Sequence, residues 1–320
     1  MARPLARPGA DMTKKAPVAL AVAGLIAVSG VAAAAPATAH YDFHRVHVRL
    51  RSGAVRVATQ VVMVTTSGDT VGALAGPGPN ASRAFITEPG GATTWLHVAG
   101  FANTLVDAAS EGGTVVITVY AAHRATRVDL RHPNGKLTRI RVPGLDPASV
   151  VVTGVNDSGD LVGSGFTKSG QSRSFLERGG RYRMFAVPVK RASMTFAAGI
   201  NDAGVIVGSY TDRRGVTHGF IDQHGHVQIV RLPGAGTHAG HGCAVQAISD
   251  SGSWLGVATT DRATVIDYVK NTGHRLVKLR YPQPHTTTYV TAINSQGVVV
   301  GTFYSAGTRS YRAFVATPTP

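Results

Sequence analysis

An all-β fold is the class this sequence predicts, and three observations predict it. Glycine supplies 38 of 320 residues and recurs every few positions, which leaves little room for helix. Apolar stripes at i, i+3, i+4 and i+7 are absent over any useful length. Short apolar runs alternate instead with polar turns that carry glycine. The hydrophobic fraction, 43%, is enough for a packed core and excludes global disorder. The single cysteine, Cys243, excludes an intramolecular disulfide and the cysteine-rich zinc ligand sets.

The amino-terminal segment has another composition. Lys14 and Lys15 precede an apolar run from Ala16 to Val31 and a small-residue stretch ending Ala37-Thr38-Ala39. This layout predicts a secretory signal peptide over 1–39, with translation starting at Met1 or Met12, and a single mature domain over 40–320. The apolar run is short for a membrane span and no second one follows, so no stable span is expected after cleavage. No Arg-Arg pair precedes the run, which predicts the general secretory route and an extracellular or cell-surface location. Arginine outnumbers lysine 25 to 7, the usage of a high-GC bacterial genome.

One phrase organises the rest: an apolar strand, a polar turn ending in glycine, and another apolar strand. Its copies are Val64-Thr-Thr-Ser-Gly68, Ala109-Ser-Glu-Gly-Gly113, Val155-Asn-Asp-Ser-Gly159, Ile200-Asn-Asp-Ala-Gly204, Ile248-Ser-Asp-Ser-Gly252 and Ile293-Asn-Ser-Gln-Gly297. The turn glycines lie 45, 46, 45, 48 and 45 residues apart. In the fourth copy the pattern predicts strands near 194–200, 205–210, 217–222 and 226–232. Asn and Asp open such turns by bonding their own backbone, and glycine supplies the positive φ. Four strands in about 45 residues is the blade of a β-propeller, so six copies predict a six-bladed ring with four antiparallel strands per blade.

The strands fit that arrangement. The first two of each copy are largely apolar, as buried inner strands must be, whereas the fourth alternates, as in Arg139-Ile140-Arg141-Val142. The sixth copy has no fourth strand of its own before the sequence ends. The alternating segment 44–50 supplies a spare one, predicted to pair with 311–316 and close the ring.

The stretch from Gly199 through Asn201-Asp202-Ala203-Gly204 to His218-Gly219-Phe220 resembles the HAF repeat of extracellular bacterial proteins. The three-residue signature stands here as His218-Gly219-Phe220, Arg83-Ala84-Phe85, Arg173-Ser174-Phe175 and Arg312-Ala313-Phe314. The second and fifth copies depart from it, with Asp129 and Tyr268 near the Phe place. The resemblance covers residues 44–316 and implies a secreted, propeller-like protein, and it lends no catalytic residue. The repeated Phe is expected to fill the gap between blades, since repeated positions in arrays serve stacking. The basic residue two positions earlier is expected to bond a turn.

Strand order puts the turns between strands two and three on the same face as the crossovers between blades. That face is the expected binding surface. Its turns carry His123, Arg124, Lys168, Arg213, Arg214, Arg262 and Arg309, with Arg83 close by. Positive charge gathered there would attract an anionic polymer. The formal net charge of the chain is +15. The crossover 233–243 holds the longest spacing, and its His238, His241 and Cys243 are the candidate ligands for a soft divalent metal. The Asn156-Asp157-Ser158-Gly159-Asp160 turn has half the oxygens of a calcium loop but not the final glutamate, so an ordinary Asx turn is expected.

Enzyme signatures are missing: no G-x-S-x-G, H-E-x-x-H or P-loop motif occurs. Glutamate occurs three times, at Glu88, Glu111 and Glu177, all in or near turns, so paired carboxylates for glycoside cleavage would come from aspartates such as Asp107 or Asp212. Basic-aromatic interleaving is absent, which argues against nucleic acid. The sequence therefore predicts a secreted, non-catalytic binding protein of the bacterial envelope, monomeric and without cofactor. Its partner is an anionic surface polymer or a surface protein. The alternative is a propeller-type hydrolase or lyase acting on an extracellular glycan in the central pore, with His238 and His241 assisting.

Overall fold

The computed structural model describes residues 41–50, 55–75, 82–121, 124–189 and 192–319. The expected signal peptide over 1–39 lies outside them, as does His123. The described residues form strands and turns only, and contain no helix long and apolar enough to cross a membrane.

Each copy of the repeat is a four-stranded antiparallel meander. The first unit is β4 (Gln60–Val64), β5 (Thr70–Ala75), β6 (Ser82–Thr87) and β7 (Thr93–Trp95). The second is β8 (Asn103–Ala109), β9 (Val115–Ala121), β10 (Arg124–Arg131) and β11 (Leu137–Arg139). The third is β12 (Val151–Val155), β13 (Leu161–Phe166), β14 (Ser172–Arg178) and β15 (Arg181–Phe185). The fourth is β16 (Ala192–Ile200), β17 (Ile206–Asp212), β18 (Thr217–Gln223) and β19 (His226–Val230). The fifth is β20 (Gly242–Ile248), β21 (Trp254–Thr259), β22 (Val265–Lys270) and β23 (Leu276–Leu279). A single parallel bridge, Thr217 to Gly242, links the fourth and fifth. The six predicted turn glycines all take positive φ, from 73° to 88°.

The sixth unit is β24 (Thr286–Ile293), β25 (Val299–Ser305), β26 (Ser310–Pro318) and β1 (Tyr41–Arg45), brought in from the other end of the chain. The spare strand therefore exists and meets the predicted partner over His44, Arg45 and Val46, but it begins at Tyr41 and leaves the sheet after Val46, so 47–50 take no part in it. Tyr41 pairs with Pro318 and Arg45 with Phe314. Beyond Val46 the chain turns away into a hairpin of β2 (His47–Arg49) and β3 (Val55–Val57). The reason is apolar burial: Val46 and Val48, whose alternation suggested the seam strand, are buried in the cluster that joins the sixth, first and second units. Phe43 holds the actual seam, with ring centroids 5.3 Å from Phe314 and 5.4 Å from Tyr281.

First strands of consecutive units pack side by side: β4 on β8, β8 on β12, β12 on β16, β16 on β20, β20 on β24, and β24 on β4. Every first strand carries a bulge, at Val62, Asp107, Thr153, Ala198, Gln246 and Thr291, where the register to the second strand slips. A bulge bends and twists a strand locally, and its recurrence gives the first strands a common shape.

The core lies between the sheets, not within any one of them. One cluster joins the second and third units, others the third and fourth, fourth and fifth, and fifth and sixth, and the largest spans the sixth, first and second. The repeated Phe sits in these layers: Phe85, Phe175, Phe220 and Phe314 are all fully buried. Each faces a glycine on the second strand, Gly72, Gly163, Gly208 or Gly301. A Cβ there would lie about 3 Å from the Phe ring, with the first-strand carbonyl closer still, so only glycine leaves room. The second unit solves the same packing problem in reverse: Ile117 replaces the glycine and Asp129 the Phe. Asp129 is fully buried and its charge is met by Arg127, Nε to Oδ1 2.8 Å. In the fifth unit Tyr268 takes the Phe place and donates its hydroxyl to Pro233 O at 2.6 Å.

Candidate functional site

Consecutive antiparallel strands put the turns of each unit alternately at two ends. At one end, the turn after the first strand is an Asx or Ser/Thr turn in every unit. Asn156 Oδ1 accepts from Asp160 N at 2.8 Å, and Asn201 Oδ1 from Val205 N at 2.9 Å. The half calcium loop is thus the expected Asx turn. The same asparagines reach onward, Asn156 Nδ2 donating to Asn201 O and Asn201 Nδ2 to Ser249 O. The next residue makes a second set of links. Gly112 N donates to Asp157 Oδ1 at 2.6 Å, Asp157 N to Asp202 Oδ1 and Asp202 N to Asp250 Oδ1, both at 2.7 Å.

Glu111 ties this belt across. It is buried, and its carboxylate accepts from Asp250 N at 3.0 Å, Ser295 N at 2.8 Å and Ser295 Oγ at 3.0 Å, residues of the fifth and sixth units. Its own carbonyl accepts from Thr66 N of the first. Burial, with added repulsion from Glu111, Asp202 and Asp157, pushes Asp250 up to about 6. Sequence reasoning did not single out Glu111. Its only signal was that a glutamate occupies a place held elsewhere by Asp, Thr or Ser.

The opposite end carries the basic turns. Lys168, Arg213, Arg214, Arg262 and Arg309 are all exposed there. Arg124 opens β10 at the same end. Of Lys168, Arg213, Arg214, Arg262 and Arg309, only Arg214 has an acidic partner among the described residues, Asp212 at 3.8 Å. Asp212 is occupied by its own turn: its carboxylate accepts from Arg214 N, Val216 N and His218 Nε2. Those bonds outweigh its partial burial and hold it below the usual carboxylate range. Two positions before the repeated Phe, His218 and Arg173 bond the turn of their own unit, Arg173 through Gln171 Oε1 at 2.7 Å. Between the third and fourth units the same end opens a groove of about 330 Å³, bordered by Arg173, Met184, Phe185 and Met194.

The long crossover folds over the basic turn of the fifth unit. It is pinned by backbone bonds on both sides: Gly236 N to Thr259 O, Gly240 N to Gly215 O and Thr217 N to His241 O, each 2.9 Å. His238 and His241 come together as expected, but Cys243 does not join them. Cys243 opens the buried strand β20, and its thiol faces Val230 O at 3.4 Å inside the core. The third group is Asp261, from the turn between β21 and β22. Its Oδ1 lies 2.9 Å from His238 Nδ1 and 3.7 Å from His241 Nδ1. It also accepts from Thr237 N and His238 N. The His238 side chain, and then Thr237 N, pull Asp261 down to about 2.

Asp107 and Asp212 are not brought into one catalytic pair. Asp107 is the bulged residue of β8, the first strand of the second unit, and Asp212 ends the second strand of the fourth unit. Burial pushes Asp107 up to about 7, against the lowering effect of the Thr118 hydroxyl that donates to it. Burial and the charge of Asp107 in turn raise Tyr120.

No family model matches this chain, and no curated protein matches it. Among solved structures it is similar to the β-propeller domain of the Trilobed protease from Pyrococcus furiosus. The identity is 12% and the TM-score 0.47, over 82% of this chain and 83% of that one. It is similar to AofleA from Arthrobotrys oligospora, at 11% identity and a TM-score of 0.46 over 82% of both chains. It is also similar to BP39L lectin from Burkholderia pseudomallei, at 10% identity and a TM-score of 0.37 over 80% of this chain and 98% of that one. At these scores the likeness carries neither an activity nor a ligand across.

Proposed function

We propose that this chain is a secreted, non-catalytic binding protein whose six units close into a propeller ring. In this reading it recognises an anionic polymer of the bacterial envelope through the basic turns of one end. The supporting observation is the exposed basic residue that the turn after the second strand carries in each unit from the third to the sixth. Carboxylates at one end are consumed in turn-to-turn hydrogen bonds, whereas Lys168, Arg213, Arg262 and Arg309 at the other are exposed and without an acidic partner among the described residues. Unneutralised cations on one face attract a polyanion and speed its encounter. The HAF-repeat resemblance accords with export.

The test is retention on isolated bacterial cell walls. The Arg213→Glu/Arg214→Glu variant is expected to bind about tenfold more weakly at low ionic strength while its melting temperature stays unchanged. Undiminished retention of that variant would contradict the reading. Retention that ignores salt would favour a surface protein as the partner.

One observation favours a second reading, a hydrolase or lyase on an extracellular glycan. Asp107, on an innermost strand, is pushed up to about 7, where a carboxyl can act as a general acid near neutral pH. That reading predicts glycan turnover that Asp107→Asn abolishes.

A further inference from the structure

The crossover between the fourth and fifth units is the chief irregularity of the repeat, with turn glycines 48 residues apart where the others are 45 or 46. The extra length is not a slack loop. It is fastened to Gly215 on one side and Thr259 on the other by its backbone, independently of its two imidazoles. Fastened in this way, it places donor atoms of His238, His241 and Asp261 within 4.8 Å of one another. Gly236 lets it approach: a Cβ there would lie 2.5 Å from Asp261 Oδ1 and 2.7 Å from His241 Cβ.

One feature of this cluster is unexplained by the fold alone. His241 Nδ1 is buried and has no hydrogen-bond partner among the described residues. At 3.7 Å from Asp261 Oδ1 it is too far to donate. Buried polar atoms in native structures are almost always partnered, by protein, water or an ion.

We infer that His238, His241 and Asp261 bind a divalent transition metal of the Zn2+ class. Two neutral imidazoles and a carboxylate suit Zn2+, Ni2+ or Cu2+, whereas Ca2+ and Mg2+ demand more oxygens. Zinc–ligand bonds of about 2.0–2.1 Å give a tetrahedral edge of about 3.3 Å. The observed separations from Asp261 Oδ1, 2.9 and 3.7 Å, fall on either side of that edge. Three protein ligands leave a fourth position for water or an external donor, and His238 is exposed to solvent. The ion gives His241 Nδ1 its partner and clamps the crossover onto the turn of the fifth unit. This inference stands apart from the polymer reading, because it needs no envelope ligand.

The experiment is a Zn2+ titration of the purified, tag-free protein after chelator treatment, repeated with Co2+ to read the visible absorption of the site. The expected result is one Zn2+ per chain, a tetrahedral Co2+ spectrum, and a melting temperature raised by the metal. His241→Gln and Asp261→Asn are expected to weaken binding at least about tenfold and to abolish the metal-induced rise. Asp261→Asn keeps an oxygen for Thr237 N, so its loss of binding is not a loss of the loop. Cys243→Ser binds as the parent does. No saturable binding below about 100 μM, or undiminished binding in a His238→Ala/His241→Ala double variant, overturns the inference.

Discussion

Within the fourth unit, the turn after the first strand and the turn after the second use the same residue types and do different things. In the first, Asn201 caps its own turn, then donates to Ser249 O of the next unit, while Asp202 N bonds Asp250. In the second, Asp212 also caps its own turn, but its bonds stop there and leave Arg213 and Arg214 exposed. The difference is position. First strands of successive units pack together, so turns next to them meet their copies. Turns one strand further out do not meet their copies, and their basic side chains stay exposed from the third unit to the sixth. The repeat thus uses one end to hold units together and leaves the other to vary.

That contrast is broken most severely at Glu111. Replacing it by Ala strips acceptors from Asp250 N, Ser295 N and Ser295 Oγ in a buried place. The expected cost is about 3 kcal/mol, seen as a melting temperature lower by about 6 °C, with wall retention unaltered. The seam comes next. Phe43→Ala removes a half-buried ring from between Tyr281 and Phe314, which is expected to cost about 2 kcal/mol in a denaturant melt.

Asp250 sharpens the comparison through pH. Its folded value, about 6, lies above the ordinary carboxylate value. Between the two the unfolded chain releases the proton and the folded chain keeps it, so stability falls as pH rises and levels off above about 6. Asp250→Asn keeps the acceptor for Asp202 N and removes the charge. It is expected to gain about 1 kcal/mol at pH 7.5 and nothing at pH 4, by thermal melts across pH. The smallest stability effect belongs to Arg213→Glu/Arg214→Glu, within about 0.5 kcal/mol, because exposed turn charges contribute little to the fold.

Much of this was legible in the sequence because period and local chemistry dictate it. The turn glycines, the Phe layer and the substitutes Asp129 and Tyr268 follow from counting along the chain. Relations set by tertiary distance were not. Glu111 reaches partners 139 and 184 residues away. Asp261 reaches the histidine loop from a different turn, while the nearby Cys243 points into the core. At the seam, the alternation of Val46 and Val48 announced burial correctly but not where the strand pairing ends. A binary pattern records that a face is covered and is silent on what covers it.

The proposed polyanion binding at the basic end is checked by retention on cell walls over a salt series, before and after the anionic polymer is stripped. Retention is expected to decline steeply with ionic strength and to disappear on stripped walls. Retention indifferent to salt, or undiminished after stripping, would contradict the proposal.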